Sequence, residues 1–183
     1  MIVGSTRPTR ICADLAEVAA GHLGAAGALT YELVDLAAIG LPFLDEPRKP
    51  ALGGYAHAHT RAWSAVVRSF DGFVLVFPQY NWGYPAVLKN ALDFLYEEWR
   101  GKPAAIVSYG SRGGSRAAEQ MRTVLTGLHM NVVAGDVLIR TSADDVDDTG
   151  ALVDAKRTLA PYRDALAAVD AELSALLAPT VED

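Results

Sequence analysis

The sequence predicts a doubly wound α/β domain, a parallel sheet with helices on both faces, and three observations carry that expectation. Short β-rich runs alternate with longer amphipathic ones along the chain. One of them, FVLVF at 73–77, is apolar without alternation, as a strand covered on both faces reads. No repeat, low-complexity tract or Ser/Gly/Pro linker divides the 183 residues, so one domain over 1–183 is expected.

Met1–Gly4 reads as the stub of a first strand, and residues 10–25 follow with helical spacing of Ile11, Leu15, Val18, Ala19 and Leu23. Tyr31–Leu36 is a second strand candidate. LPFLDEPRKP at 41–50 carries three prolines, which forbid regular structure. A helix over 55–69 puts Trp63, Val66 and Val67 on one side. After FVLVF, residues 86–99 read as a helix with Leu88, Leu92, Leu95 and Trp99 on one stripe. AAIVSY at 104–109 is another strand, followed by a glycine-rich loop and a helix over 115–128. Asn131–Ile139 supplies a final strand and 152–177 a final helix. Five strands alternating with five helices give the doubly wound sheet.

Composition narrows the function class. Hydrophobic residues make up 51% and charged ones 21%, a globular balance and not a disordered one. The net charge of −6 comes without an acidic or basic run, so it argues for solubility, and Lys and Arg show no cluster for nucleic acid. The single cysteine, Cys12, permits no intrachain disulfide and fits a reducing compartment. No apolar stretch approaches the roughly 20 residues of a membrane span, and Arg7 and Arg10 interrupt any signal-peptide pattern. A cytoplasmic protein is expected, with no nucleic-acid or membrane partner.

In such sheets ligands bind outside the carboxyl ends of the strands. Three loops leaving strand ends carry unusual residues: GSTRPTR (4–10), PQYNWGYP (78–85) and YGSRGGSR (109–116). In the first, Gly4 permits a tight turn and Ser5, Thr6, Thr9, Arg7 and Arg10 stand beside a helix N-terminus, which favours a phosphate. An ordinary capped turn with exposed arginines is the alternative. The loop is neither a P-loop nor a dinucleotide fingerprint. In the second loop Tyr80, Trp82 and Tyr84 can flank a planar ring while Gln79 and Asn81 bond its edge; an aromatic cluster at a subunit interface is the alternative. The third offers open backbone N–H groups for a flat polar ligand, or is a plain turn. One ligand satisfies all three loops, a phosphate joined to a flat hydrogen-bonding heterocycle: flavin mononucleotide.

GSTRP, LPFLDEP, PQYNWGYPAVLKNALDFLYEEWRGKPAAIVSYGSRGG and AAEQMR resemble the NADPH-dependent FMN reductase family over about residues 2–139. The resemblance implies a flavodoxin-like five-stranded parallel sheet in the order 2-1-3-4-5. It also implies an NADPH-dependent flavin oxidoreductase that passes hydride to FMN and on to a quinone, azo dye, metal oxyanion or other small acceptor. By the same resemblance FMN phosphate falls to Ser5, Arg7 and Arg10 with the backbone of Ile11 and Cys12, the isoalloxazine to Pro78, Gln79, Tyr80, Asn81 and Trp82, and the rest of the pocket to Gly110, Ser111, Gly113 and Gly114. It further implies a homodimer or homotetramer, which lets some loop aromatics face a partner subunit. Many relatives carry Glu where this chain has Gln79, and Ser and Asn where Arg10 and Cys12 stand. A central strand usually needs about five residues, so either the first strand is short or this chain begins later than its relatives do.

No catalytic side chain is expected, because the cofactor does the chemistry and the protein supplies position. A flavodoxin-type electron carrier and a reductase supplying free reduced FMN to a monooxygenase are the alternatives. Arg112 and Arg116 are candidates to meet the 2′-phosphate of NADPH. Other features read as structural. His57 and His59 stand two apart without a third metal ligand, Cys12 is a small buried filler, and DDVDD at 144–148 is a solvated loop lacking metal-loop spacing. Lys89 and Asp93 form an i,i+4 pair worth about 0.3 kcal/mol if exposed, or lie at a subunit contact.

Overall fold

The computed structural model describes residues 1–25, 27 and 29–178; the last residues of the expected 1–183 domain, 179–183, lie outside them. Strands β1 (Ile2–Val3), β2 (Val34–Asp35), β3 (Phe73–Pro78), β4 (Pro103–Gly110), β5 (Asn131–Val132) and β6 (Val137–Arg140) form one sheet. Its order is β2-β1-β3-β4-β5, with β6 also on β4, and every pairing is parallel. This is the flavodoxin-like order 2-1-3-4-5.

Helices α1 (Cys12–Gly24), α6 (Ala155–Leu159) and α7 (Arg163–Leu177) cover one face. Helices α3 (Ala58–Arg68), α4 (Ala86–Asp93) and α5 (Ser115–Gly127) cover the other, and a short α2 (Leu36–Ile39) follows β2. Along β3 the side chains alternate between two cores: Phe73, Leu75 and Phe77 pack with α3–α5, and Val74 and Val76 with α1 and α7. All are buried, which is why the run shows no polar alternation.

The final strand differs from the expected Asn131–Ile139. Pro103 faces Asn131 and Val107 faces Val137, so four residues, 133–136, stand opposite two of β4. Arg122 of α5 explains the break: its Nη1 donates to Val133 O at 2.8 Å, and the same guanidinium pairs with Asp136. A guanidinium thus takes a carbonyl away from the ladder, leaving two strand pieces along one edge.

The α4 helix ends at Asp93, not at residue 99. Two buried indoles account for the stop. Trp63 Nε1 donates to Ala91 O at 2.8 Å and Trp99 Nε1 to Leu92 O at 3.1 Å, so last-turn carbonyls are satisfied without further helix. The apolar stripe persists through the turns that follow, with Leu95 and Trp99 fully buried. The last helix is divided by a 3-10 turn at Ala160–Tyr162, where Pro161 has no N–H to give.

Glu98 is buried at 3% exposure among polar partners. It accepts Ser64 Oγ at 2.7 Å, Arg68 Nη2 at 2.9 Å and Tyr55 OH at 2.9 Å. Burial pushes its pKa up, but the Ser64 and Tyr55 hydroxyls and Arg68 outweigh that and hold it below the usual carboxylate value. A carboxylate depressed in the folded state stabilises above its unfolded pKa of about 4.3, and that stabilisation is lost as pH falls through the lower folded value. Glu98→Gln is expected to cost about 1–3 kcal/mol at pH 7. Urea unfolding should show the gap to wild type narrowing as pH falls below about 4.3; a gap that stays constant through that fall would assign the cost to packing.

Candidate functional site

The carboxyl ends of β1, β3 and β4 open at one edge, and the three unusual loops meet there. Gly4 N donates to Val76 O at 2.8 Å. A Cβ on Gly4 would lie 3.0 Å from Leu88 Cδ2, 3.0 Å from Val76 O and 3.1 Å from Phe77 Cβ, so any side chain there would press on β3 and α4. Ser5 is wholly buried, and its hydroxyl lies 2.9 Å from Tyr80 OH, joining the first loop to the second. Arg7 is exposed, and among the described residues its guanidinium bonds only its own loop, with Nη2 donating to Thr9 O at 3.1 Å. Ile11 stands at the α1 N-cap with no side-chain cap, so first-turn N–H groups lack a side-chain acceptor.

Arg10 and Cys12 are placed differently from Arg7. The Arg10 guanidinium pairs with Asp35 at the end of β2, bracing the loop from outside. Cys12 is wholly buried, with Sγ donating to Val76 O at 3.1 Å, and burial pushes its thiol up to about 11. Only its backbone can meet a ligand. Tyr109 lies on the pocket floor, and burial, reinforced by Cys12, pushes its hydroxyl far above the ordinary tyrosine value while Arg7 pulls it slightly back. Both groups keep their protons at neutral pH.

The second loop is a tight hairpin. Tyr80 N donates to Gly83 O at 2.8 Å and Gly83 N to Tyr80 O at 2.9 Å. Between them Asn81 and Trp82 have φ of 46° and 74°, the double left-handed signature of a type I′ turn. Asparagine tolerates that region, whereas a bulky indole there costs about 1–2 kcal/mol. Tyr80 and Trp82 are 39% and 59% exposed, with the Tyr80 hydroxyl turned in to Ser5. Tyr84 does not flank the opening with them; it packs against the core beside α4. Gln79 has a role the sequence did not suggest. Its Oε1 accepts the backbone N–H of Arg116 at 3.1 Å and of Ala117 at 3.2 Å, capping α5, whose own N-cap is Gly114.

The third loop turns back on β4 through Gly113 and Gly114, with φ of 78° and 74°. A Cβ on Gly114 would lie 2.8 Å from Ser108 Oγ, so no side chain fits. Gly113 O accepts Ser108 Oγ at 3.0 Å, which seats the loop on its own strand.

A fourth segment, 141–150 after β6, was missed by reading loops for unusual residues. It closes one side of a cavity of about 320 Å³ that Arg7, Ile11, Tyr80, Tyr109 and Gly110 line with Thr141 and Val146. The signal was topological, because this segment leaves the last strand at the same edge. Two of its four carboxylates are held by nearby donors: Asp145 accepts from Ser142 and Thr158, and Asp147 accepts from Thr149 and Ala151. A second cavity of about 680 Å³ lies beside the first and shares Gln79 with it. Ser111, Arg112 and Arg116 line it with Asn81 and Trp82. A third, about 390 Å³, sits at the opposite strand ends near Met1 and Phe73, among none of the three loops.

Among families of known proteins, the one described as NADPH-dependent FMN reductase matches residues 1–144, which takes in all three loops. An NAD(P)H-dependent FMN reductase of Saccharomyces cerevisiae is 44% identical over 146 residues, covering 74% of this chain and 76% of that one. One of Schizosaccharomyces pombe is 47% identical over 135 residues, covering 72% and 67%. A solved flavoenzyme NAD(P)H:(acceptor) oxidoreductase of Paracoccus denitrificans shares the fold, with a TM-score of 0.72 at 22% identity over 95% of each chain. Among the described residues no helix is long and apolar enough to cross a membrane.

The capping role of Gln79 is separable from any ligand role. Gln79→Ala is expected to lower stability by about 1 kcal/mol through loss of the cap. Gln79→Glu should preserve or raise it by a few tenths, since a carboxylate suits a helix N-terminus. Equal losses in thermal melts of the two variants would refute the cap.

Proposed function

We propose, from the premise that this chain belongs to the NADPH-dependent FMN reductase family, how its own residues serve an NAD(P)H-dependent flavin oxidoreductase that uses FMN. The observation that carries the proposal is the convergence at one sheet edge of the uncapped α1 N-terminus, the free face of Arg7 and the paired hydroxyls of Ser5 and Tyr80. That is a phosphate cradle in charge and donor count. The residues therefore fit the cofactor: Ser5, Arg7 and the backbone of Ile11 and Cys12 would hold the phosphate, with the Tyr80 hydroxyl beside Ser5. Arg10, paired with Asp35, would keep the loop in shape. The backbone of Pro78–Asn81, the loop of Gly110, Ser111, Gly113 and Gly114, and the Trp82 indole would hold the ring.

Held there, FMN would supply the redox chemistry between a nicotinamide donor and an acceptor. The chain's part is to bind and orient. Glycine backbone at 113 and 114 lets the loop approach a flat ligand closely. Cys12 and Tyr109 hold their protons below the phosphate site, so no side chain there serves as general base at neutral pH. The open side of both cavities leaves room for a small acceptor, and a quinone, an azo dye or a metal oxyanion would each suit. A homo-oligomer in the cytoplasm belongs to the same reading, supported by the single buried cysteine and by exposed Phe43, Leu44 and Leu52.

Two measurements test it. The purified protein is expected to show a flavin spectrum, or to acquire one with added FMN, and to bleach on anaerobic addition of NADPH. A loaded protein that stays yellow would favour an electron carrier, and one that binds no FMN would overturn the site. In addition, Tyr80→Phe should weaken FMN about 10-fold, as loss of a hydrogen bond to a charged group does, and leave riboflavin affinity unchanged. Equal weakening of both flavins would put Tyr80 against the ring instead.

A further inference from the structure

The larger cavity beside the proposed flavin site carries a charge pattern that the flavin itself does not require. Two guanidiniums face one space of about 680 Å³, together with the hydroxyls of Ser111 and Ser115. Arg112 is exposed and has no ion pair among the described residues. Arg116 has only Glu119, 3.5 Å away, and both side chains are more than half exposed, so the pair is weak. The helix end adds little, because Gln79 already occupies the N–H groups of Arg116 and Ala117.

The Arg116 guanidinium lies over the Trp82 ring, 5.4 Å from its centroid. Stacking holds the planar fork in place while its N–H edge stays open to an anion. Trp82 is itself held by the hairpin and by Gln120 Nε2, which donates to Trp82 O at 3.2 Å. A glycine would sit at that φ of 74° without strain, so the position keeps an indole against local preference.

We infer that this cavity receives the 2′-phosphate end of NADPH, with Arg112 and Arg116 as its ligands and Trp82 positioning Arg116. The inference rests on the flavin-reductase reading and goes further, because it makes this cavity the source of a preference for NADPH over NADH. A phosphate dianion offers several acceptor oxygens, which guanidinium forks meet in paired hydrogen bonds. The chain as a whole carries −6, so this local pair of cations is what admits a polyanion.

The test uses the FMN-loaded protein and two probes, adenosine 2′,5′-bisphosphate and adenosine 5′-monophosphate, bound calorimetrically without turnover. Wild type should bind the bisphosphate at least 10-fold more tightly. Arg112→Ala and Arg116→Ala should each cut that ratio about 10-fold, and the NADPH-to-NADH ratio of kcat/KM should fall in parallel. Trp82→Gly, which keeps the turn, should cut it by less than Arg116→Ala does. If the arginine variants weaken both probes and both dinucleotides alike, the arginines hold a phosphate common to the two and the inference fails. It also fails if the ratios do not move while urea midpoints show the variants folded. Failure of the reductase reading looks different: neither dinucleotide would then bleach the flavin of the wild type.

Discussion

The hydrogen bond from Gly4 N to Val76 O is the contact on which the rest of the site depends. It draws the end of β1 so close to β3 that a side chain at position 4 would crowd Val76 and Phe77, and the chain leaves the sheet there. Because β1, β3 and β4 are parallel neighbours, their loops are delivered to one edge, a few strand spacings apart. No side-chain contact has to bring them together. The buried strands fix the distances, and the loops inherit them.

What the side chains add is the locking of one loop to the next. Ser5 and Tyr80 join the first to the second, and Gln79 joins the second to the helix after the third. Arg10 fastens the first to the end of β2. Each tie uses a polar group that a composition-based reading offers to the ligand. A residue in a binding loop has two employers, and a buried acceptor or charge must first satisfy the protein's own donors before it can serve a guest. Gln79 shows the consequence: its carbonyl oxygen lies between two cavities yet points at backbone N–H groups.

The electrostatic character of the edge follows from the same economy. Arg10 is neutralised by Asp35, while Arg7, Arg112 and the stacked Arg116 keep their charge facing open space. Cys12 and Tyr109 sit beneath them, uncharged because burial makes their ionised forms expensive. A neutral floor under a cationic rim suits a ligand whose charge lies in its phosphates and whose reacting ring carries little.

The sequence by itself determined the alternation of strands and helices, the doubly buried FVLVF strand, and the three loops that converge. Apolar periodicity and glycine placement are local signals, and burial on a sheet is periodic along the chain. Ends of elements were less legible, because they depend on partners far away in sequence. Helix α4 stops where Trp63 and Trp99 satisfy its carbonyls, and the last strand breaks where Arg122 takes one from the ladder. The same holds at the site. The residue types of a phosphate-and-ring pocket could be read in order, but only the tertiary structure decided that Arg10 pairs with Asp35, that Gln79 caps α5, and that the 141–150 segment forms a wall. Those outcomes are competitions between donors and acceptors brought close by folding, and a linear sequence does not say which pairs will meet.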